Sequence, residues 1–167
     1  MSGRMNIEAK QKKWQDPSKF NIEITGPGTN ILNLPDSSTL SLACQGIQLA
    51  DINSAPIEDY IGEEWRFAIG RLENYQVAIT FKDYDNFILY KKFANAIQKF
   101  VRMYPDEQKI NIKINTSDDF SVDNFLPTVE FINCIIISVS GSGLDNSAIA
   151  SVAEFTVTMK CSYVKTF

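Results

Sequence analysis

The chain of 167 residues contains no histidine, so it lacks the commonest general base and the commonest transition-metal ligand in proteins. Its cysteines, Cys44, Cys134 and Cys161, lie far apart without C-x-x-C spacing. Each sits in an apolar or alternating segment, so we expect three buried free thiols. No apolar run is long enough for a membrane span, and the N-terminal residues lack the apolar core of a signal peptide. We therefore expect no metal, no other cofactor, no membrane insertion, and assembly in a cytoplasm.

Basic residues are also scarce. The chain contains 16 lysines and arginines and 20 acidic residues, which gives a formal net charge of -4. This balance argues against a surface built to grip nucleic-acid phosphates. Lys12 and Lys13 beside Trp14 form a small basic cluster, but Glu8 and Asp16 dilute it. The length and the hydrophobic content of 44% fit one ordinary folded domain.

The motifs of common enzymes are missing. The clusters "GPG" and "GSGLDNS" complete neither phosphate-binding glycine motif, and we interpret both as turns. Ser142 lies between two glycines, but no histidine is present to activate it. Paired carboxylates of the kind used in glycoside hydrolysis are interpreted as solvated turn residues, because neighbours in a turn point in different directions. These pairs are Glu63 with Glu64, Asp83 with Asp85, and Asp118 with Asp119. We predict that the protein is not an enzyme.

Alternation of apolar and polar residues predicts most of the chain to be β-strand. The predicted strands are "FNIEIT", "TLSLACQ" with Leu40, Leu42 and Cys44 on one face, "EWRFAIGRL", "NYQVAITFKD", "KINIKINT", "TVEFINCIIISVS" and "SVAEFTVTMKCSYV". The last of these alternates without interruption from residue 153 to residue 163, which poses the question of what its polar side faces.

One segment changes period. Across residues 84–104 apolar residues recur at steps of three and four, which predicts an amphipathic helix covering a core. Asp83 or Asp85 is the expected cap, and Pro105 the expected stop. The predicted core stripe consists of Phe87, Tyr90, Phe93, Ala94, Ile97, Val101 and Tyr104. The fold class is therefore mainly β, an antiparallel barrel or sandwich with one flanking helix. Residues 1–19 form an arm before a single domain spanning residues 20–167.

Residues 46–64 show neither period, and we interpret them as a long loop. It contains too many apolar residues to lie freely in water. Two readings stay open: a loop folded on its own small core, or a loop that contacts another subunit.

The order of these segments resembles the tail tube proteins of contractile-tailed bacteriophages. The resemblance rests on "W-x-D-P-S-K-F-N-I-E-I", "L-S-L-A-C-Q-G-I-Q-L-A-D", "W-R-F-A-I-G-R-L", "Y-Q-V-A-I-T-F-K-D", the single helix and the closing "F-T-V-T-M-K-C-S-Y". The resemblance covers nearly the whole chain. It is a resemblance of pattern, and no single motif is diagnostic of the family. Ala50 stands where the family often has proline, which keeps open a baseplate-proximal variant of the tube protein or a divergent phage lineage.

This resemblance implies a structural virion protein of the tail. Six copies would close into a ring, and rings would stack into a tube inside a sheath, with an initiator at the baseplate, a terminator at the other end, and DNA in transit through the lumen. The implied lumen-facing residues are Glu154, Thr156, Thr158, Lys160 and Ser162. The implied contacts between subunits or rings involve Trp14, Ile57, Tyr60, Trp65 and Phe167. We expect the lumen lining to be hydroxyl-rich and neutral or acidic.

Besides the baseplate-proximal variant, two alternatives remain. The first is the inner tube of a related secretion or injection system, which would share the same pattern. The second is a monomeric β-barrel binding module with an internal cavity for an apolar ligand, which would form no ring.

Overall fold

The computed structural model describes residues 20–48, 54–61, 64–72, 75–83, 86–117, 125–141 and 153–167. Within them lie nine strands: β1 (Phe20–Thr25), β2 (Cys44–Gln48), β3 (Ser54–Ile61), β4 (Glu64–Leu72), β5 (Tyr75–Lys82), β6 (Ile110–Ser117), β7 (Phe125–Gly141), β8 (Glu154–Cys161) and β9 (Tyr163–Thr166). The helices of the same residues are α1 (Thr29–Leu32), α2 (Ser37–Ala43), α3 (Ile88–Phe100) and α4 (Pro105–Gln108). The predicted class, mainly antiparallel β with one long helix, is confirmed.

The long strand β7 connects two portions of one seven-stranded antiparallel sheet. Its first part pairs with β6 on one side and β9 on the other, and β1 extends this portion beyond β6. Its last part pairs with β8, which is followed by β5 and β2. Asn133, between the two parts, has a left-handed φ of 54°, and register shifts lie close by. Apolar residues from both portions form one core.

Strands with strict alternation agree with the sequence prediction. Ile110, Ile112 and Ile114 are buried on β6, and the apolar residues of β5 are buried in the same way. Because alternate side chains point to opposite faces of a sheet, the polar residues between them face outward.

Helix α3 is shorter than predicted, and it buries a different side. The residues that enter the core are Leu89, Phe93, Ala96 and Phe100. Val101 and Tyr104, predicted to be core, are 81% and 79% exposed. The sequence "FILY" at residues 87–90 is apolar throughout, so several stripes fit the pattern. The backbone has a positive φ at Asn86 and Phe87, and the helix starts at the next residue, Ile88.

The predicted strand "TLSLACQ" is mostly helix. Asp36 caps α2: its carboxylate accepts hydrogen bonds from the hydroxyl of Ser38 and from the hydroxyl and amide of Thr39. These bonds lower the pKa of Asp36 to about 2, with the Ser38 hydroxyl as the largest cause. Leu40 enters the core while Leu42 is 87% exposed, so the two do not share a face. The alternation of apolar and polar residues in "TLSL" suggested a strand. Capping by the side chain of Asp36 instead stabilises a helix at these residues.

The predicted long loop at residues 46–64 is also wrong. It contains the end of β2 and the whole of β3, which pairs with β4 in a separate two-stranded ladder. The register shifts between Ala55 and Pro56. Such a bulge interrupts the alternation of apolar and polar residues, so the sequence pattern did not indicate a strand. Proline is tolerated in strands at bulges.

Two of the three cysteines are not free thiols. Cys134 on β7 and Cys161 on β8 form a disulfide where the two strands lie side by side. The register of this strand pair, which the sequence spacing does not reveal, brings them together. Cys44 is free and buried as predicted, and burial raises the pKa of its thiol to about 12.

The corrected helix face gives a first prediction. Leu89→Ala should lower the free energy of unfolding by about 2–5 kcal/mol, because it leaves a cavity under α3. Val101→Ala should change it by less than about 0.5 kcal/mol, because that side chain lies in solvent. Urea denaturation followed by circular dichroism measures both. A larger loss for Val101→Ala than for Leu89→Ala would support the stripe predicted from sequence and contradict the observed face.

Candidate functional site

Four strands present a continuous polar surface, which we call the polar face. On β8 it contains Glu154, Thr156, Thr158 and Lys160, while the intervening Phe155, Val157 and Met159 are at most 3% exposed. On β5 the residues opposite these four alternate in the same way with apolar residues that are fully or almost fully buried. The side chains of β8 predicted to face a lumen therefore all lie on the side of the sheet away from the core.

The register aligns this face in rows across the sheet. Thr80 of β5 lies opposite Thr156, and their hydroxyl oxygens are 3.0 Å apart. The rows continue onto β7 and β2, since residues directly opposite in an antiparallel ladder share a face. The additional polar members are Gln48, Gln76, Thr80, Lys82, Ser138 and Ser140, and Gly46, Ala78 and Ile135 lie on the same face between them. Sequence reasoning missed them because it used the alternation of β5 only for its apolar side.

The polar face is rich in hydroxyl groups and carries little charge. Lys82 lies opposite Glu154 in the register, and Lys160 lies opposite the uncharged Gln76. Two lysines against one glutamate leave a formal charge of +1 on its described part. The predicted residues of β8, Glu154 and Lys160, carry no net charge together, and Lys82 of β5 adds the positive one. The neutral or acidic lumen lining stays a prediction.

Ser162 does not continue the row of its predicted neighbours. Strand β8 ends at Cys161, and the amide of Ser162 donates to the carbonyl of Ile132 at 3.1 Å. The next residues form β9, which pairs with the first part of β7. The sequence alternates without interruption through the point where the chain leaves β8 and enters β9. Tyr163, which the alternation places on the same side as the buried residues of β8, is 54% exposed.

The other predicted contact residues of the described chain belong to no strand of this face. Phe167 is 59% exposed, its amide donates to Thr128, and the ammonium of Lys165 lies 4.6 Å from the centre of its ring. The backbones of Tyr60 and Trp65 are opposite each other at one end of the β3–β4 ladder, and Ile57 pairs with Ala68. Trp14 lies outside the described residues.

Both edges of the polar-faced sheet are open in the part of the chain that the structure describes. β2 pairs with β5 on one side and with no described strand on the other. Residues 135–141 of β7 pair with β8, while β6 reaches only to Cys134 on their other side. Ile135 and Ile137 on this edge are 42% and 46% exposed. Unpaired edges with exposed apolar residues are sites where another chain adds a strand.

A cleft of about 380 Å³ lies at the start of α3, lined by aromatic residues and by Asp83, Lys91 and Glu154. The carboxylate of Asp83 accepts hydrogen bonds from the amides of Leu89 and Tyr90 at 3.1 and 3.0 Å. It is thus the predicted cap of the helix. In the described chain, we find no cluster of histidine, cysteine or acidic residues able to hold a metal ion. No described helix has the length and hydrophobicity needed to span a membrane.

Solved structures share this fold over almost the whole chain. A chain from the sheath–tube complex of the extracellular contractile injection system PVC, in its extended state, aligns with a TM-score of 0.70 at 13% identity, covering 96% of this chain and 97% of that one. A chain from the baseplate of the anti-feeding prophage aligns with a TM-score of 0.69 at 12% identity, covering 94% and 97%. A chain from the tube-terminating cap of the anti-feeding prophage gives 0.67 at 14% identity, covering 93% of each.

The predicted likeness to tail tube proteins is therefore confirmed for the fold. No protein-family profile matches the sequence. No curated protein matches it either. The chain thus has the fold found in tube, cap and baseplate assemblies of contractile systems.

The two faces of β8 can be tested with adjacent residues. Val157→Thr should lower the free energy of unfolding by about 1–3 kcal/mol, because it buries a hydroxyl among apolar side chains. Thr158→Val should change it by less than about 0.5 kcal/mol, because Thr158 lies on the polar face. Both values come from urea denaturation at a concentration where the protein is monomeric. The reverse ranking of these variants would contradict the face assignment.

Proposed function

We propose that the protein is the repeated subunit of the inner tube of a contractile phage tail, a structural and non-enzymatic component of the virion. The observation that carries this proposal is the four-stranded sheet with one face buried, one face polar, and both edges unpaired within the described residues. A sheet of this kind is incomplete alone. Copies arranged head to tail around a closed ring remove both edges at once.

In the proposed ring, residues 135–141 of β7 in one subunit pair with β2 of the next. Ile135 and Ile137 lose part of their solvent exposure in this contact, which adds hydrophobic free energy to the new ladder. Six subunits would then form one continuous barrel with the polar face inward. Glu154, Thr156, Thr158 and Lys160 line the lumen, together with the hydroxyl groups aligned beside them.

Stacking of rings is assigned to the β3–β4 hairpin, with Ile57, Tyr60 and Trp65, and to the two ends of the chain, with Trp14 and Phe167. A two-stranded ladder is at best marginally stable by itself in water. The β3–β4 ladder is a separate sheet in the described structure, so we propose that a neighbouring ring completes it. The sheath, an initiator at the baseplate and a terminator are the proposed partners.

The lining suits passage of DNA without retention. Affinity for DNA depends on how many phosphates lysine and arginine neutralise. Lys82 lies opposite Glu154, so Lys160 is the one cation of the described polar face without an acidic residue opposite it. A hydroxyl-rich lining with so few free cations binds phosphate weakly.

A second candidate is the inner tube of an extracellular contractile injection system. The similarity to chains of PVC and anti-feeding prophage particles favours it. It requires the same ring and the same stacking, and it differs in what passes through the lumen. Particles purified from the producing cell distinguish the two candidates: a DNA-filled head on the tail supports the phage tail, and a headless tail supports the injection system.

Ring formation is tested by electron microscopy of the purified protein in negative stain across a concentration series. Rings or hollow tubes are expected to form at high concentration. Ile137→Lys should abolish them, because a lysine on an edge strand opposes pairing with another chain. Val101→Lys makes the same change at an exposed site away from the edge and should assemble normally. Rings formed equally well by Ile137→Lys would exclude the proposed edge contact, and a monomer with a bound apolar ligand at every concentration would favour the binding module.

The lumen assignment has its own test. Thr156→Arg combined with Thr158→Arg should leave tube formation intact and slow DNA ejection, because the added cations neutralise passing phosphates. Thr156→Gln with Thr158→Gln adds similar bulk without charge and serves as the control. Release of DNA from purified virions is measured after triggering, at low and at high salt. Ejection at the normal rate from arginine-lined tubes would contradict the inward orientation of this face.

A further inference from the structure

The disulfide lies where the two portions of the seven-stranded sheet meet. Cys134 follows Asn133, the residue at which β7 passes from one portion to the other, and Cys161 is the last residue of β8. The amide of the next residue, Ser162, donates to the carbonyl of Ile132 at 3.1 Å before the chain enters β9. The bond between Cys134 and Cys161 therefore connects the two points at which the chain crosses this junction.

The bond fits the register of the folded strands. Ile135 of β7 lies opposite Lys160 of β8, and the two cysteines stand one residue further along each strand. They are 27 residues apart in the sequence, so the bond closes a long loop of the unfolded chain. Closing such a loop removes conformational freedom mainly from the unfolded state, and the folded state gains stability relative to it.

The folded chain shields both sulfur atoms from reagents in solution. Cys134 is 0% exposed and Cys161 is 2% exposed. Thiol–disulfide exchange requires a thiolate to reach one sulfur atom of the bond, so exchange here requires a local opening of the junction. Whichever state the two cysteines have, two thiols or a disulfide, therefore persists for a long time once the subunit has folded.

The disulfide suits only one of the two environments that the proposed function implies. The proposed tube subunit is made and assembled inside a cell, and it acts in a particle outside that cell. Cytoplasmic thiols are kept reduced, and disulfides persist in oxidising surroundings outside the cell. The two cysteines therefore face a change of redox environment after the subunit has folded.

We propose that Cys134 and Cys161 form a redox latch, which is open as two thiols during assembly and closes as a disulfide after the particle leaves the cell. In closing, one thiolate attacks a small-molecule disulfide of the surroundings and releases one thiol from it, and the second thiolate then displaces the other. The two cysteines lose two protons and two electrons, and the small-molecule disulfide takes them up as it becomes two thiols. The timing of closure rests on the proposed function, whereas the stabilising effect of the bond does not.

The latch lies where the proposed ring contact begins. Ile135, which follows Cys134, is the first residue of the edge segment 135–141 that pairs with the next subunit in the proposed ring. A closed latch holds the register of β7 against β8 beside this edge. Subunits of a released particle are therefore expected to resist unfolding and proteolysis more strongly than subunits inside the cell.

The timing of closure is tested by trapping the thiols in acid, unfolding and alkylating the protein, and counting the modified cysteines by mass spectrometry. Protein from the cytoplasm of the producing cells should carry three alkylated cysteines, and protein from released particles should carry one, on Cys44. Three alkylated cysteines in both samples would show that no bond forms. One in both samples would show that the bond closes before release. Either result overturns the proposal.

The stabilising effect is tested on the purified subunit at a concentration where it is monomeric. After incubation with oxidised glutathione, the subunit should be digested by thermolysin at least tenfold more slowly than the reduced subunit. Cys44→Ala should keep this difference, and Cys134→Ala with Cys161→Ala should abolish it, while circular dichroism checks that each variant is folded. Equal digestion of the oxidised and reduced subunit would overturn the latch. Because this assay uses monomers, a failure to form rings contradicts the proposed function alone.

Discussion

The contact between α3 and the sheet determines the rest of this structure. Phe81 and Phe155 stack side by side on the inner face of the sheet, with ring centroids 5.4 Å apart, and Phe93 of the helix packs onto both. Aromatic side chains of this size supply much of the apolar area that a small core removes from water. Because the helix covers one face of the sheet, the other face must be compatible with water, and it is lined with threonines, serines and glutamines.

This division of the sheet connects the fold to the proposed function. A two-layer arrangement of helix on sheet gives each subunit an inner and an outer side, and the open edges at β2 and β7 give it two lateral sides. Those are the surfaces that a closed ring needs. The conformation of β7 at Asn133 matters for the same reason, because it divides one long strand between the polar-faced portion and the portion that β6 and β1 complete.

The two charged surfaces differ in how they are balanced. On the polar face Lys82 has Glu154 opposite it, and the surface is dominated by hydroxyl groups. On the outer side of α3, Lys99 and Arg102 are exposed, and no described carboxylate lies within ion-pair distance of them.

The sequence alone determined the elements whose periodicity is regular over six residues or more. The alternation in "FNIEIT", "YQVAITFK" and "EFTVTMKC" assigned each side chain to a face, since successive residues of a strand point to opposite sides. It also determined that a helix follows Asp83.

Local interactions decided what was predicted wrongly. Capping by Asp36 made a helix of "SSTLSLA", and a bulge at Pro56 concealed β3. The four apolar residues in "FILY" allowed several helix faces, and packing against Phe81 and Phe155 selected one of them. The pairing of Cys134 with Cys161 and the neighbours of Thr156 on β5 and β7 depend on strand register, which is a property of the assembled sheet and not of any segment within it.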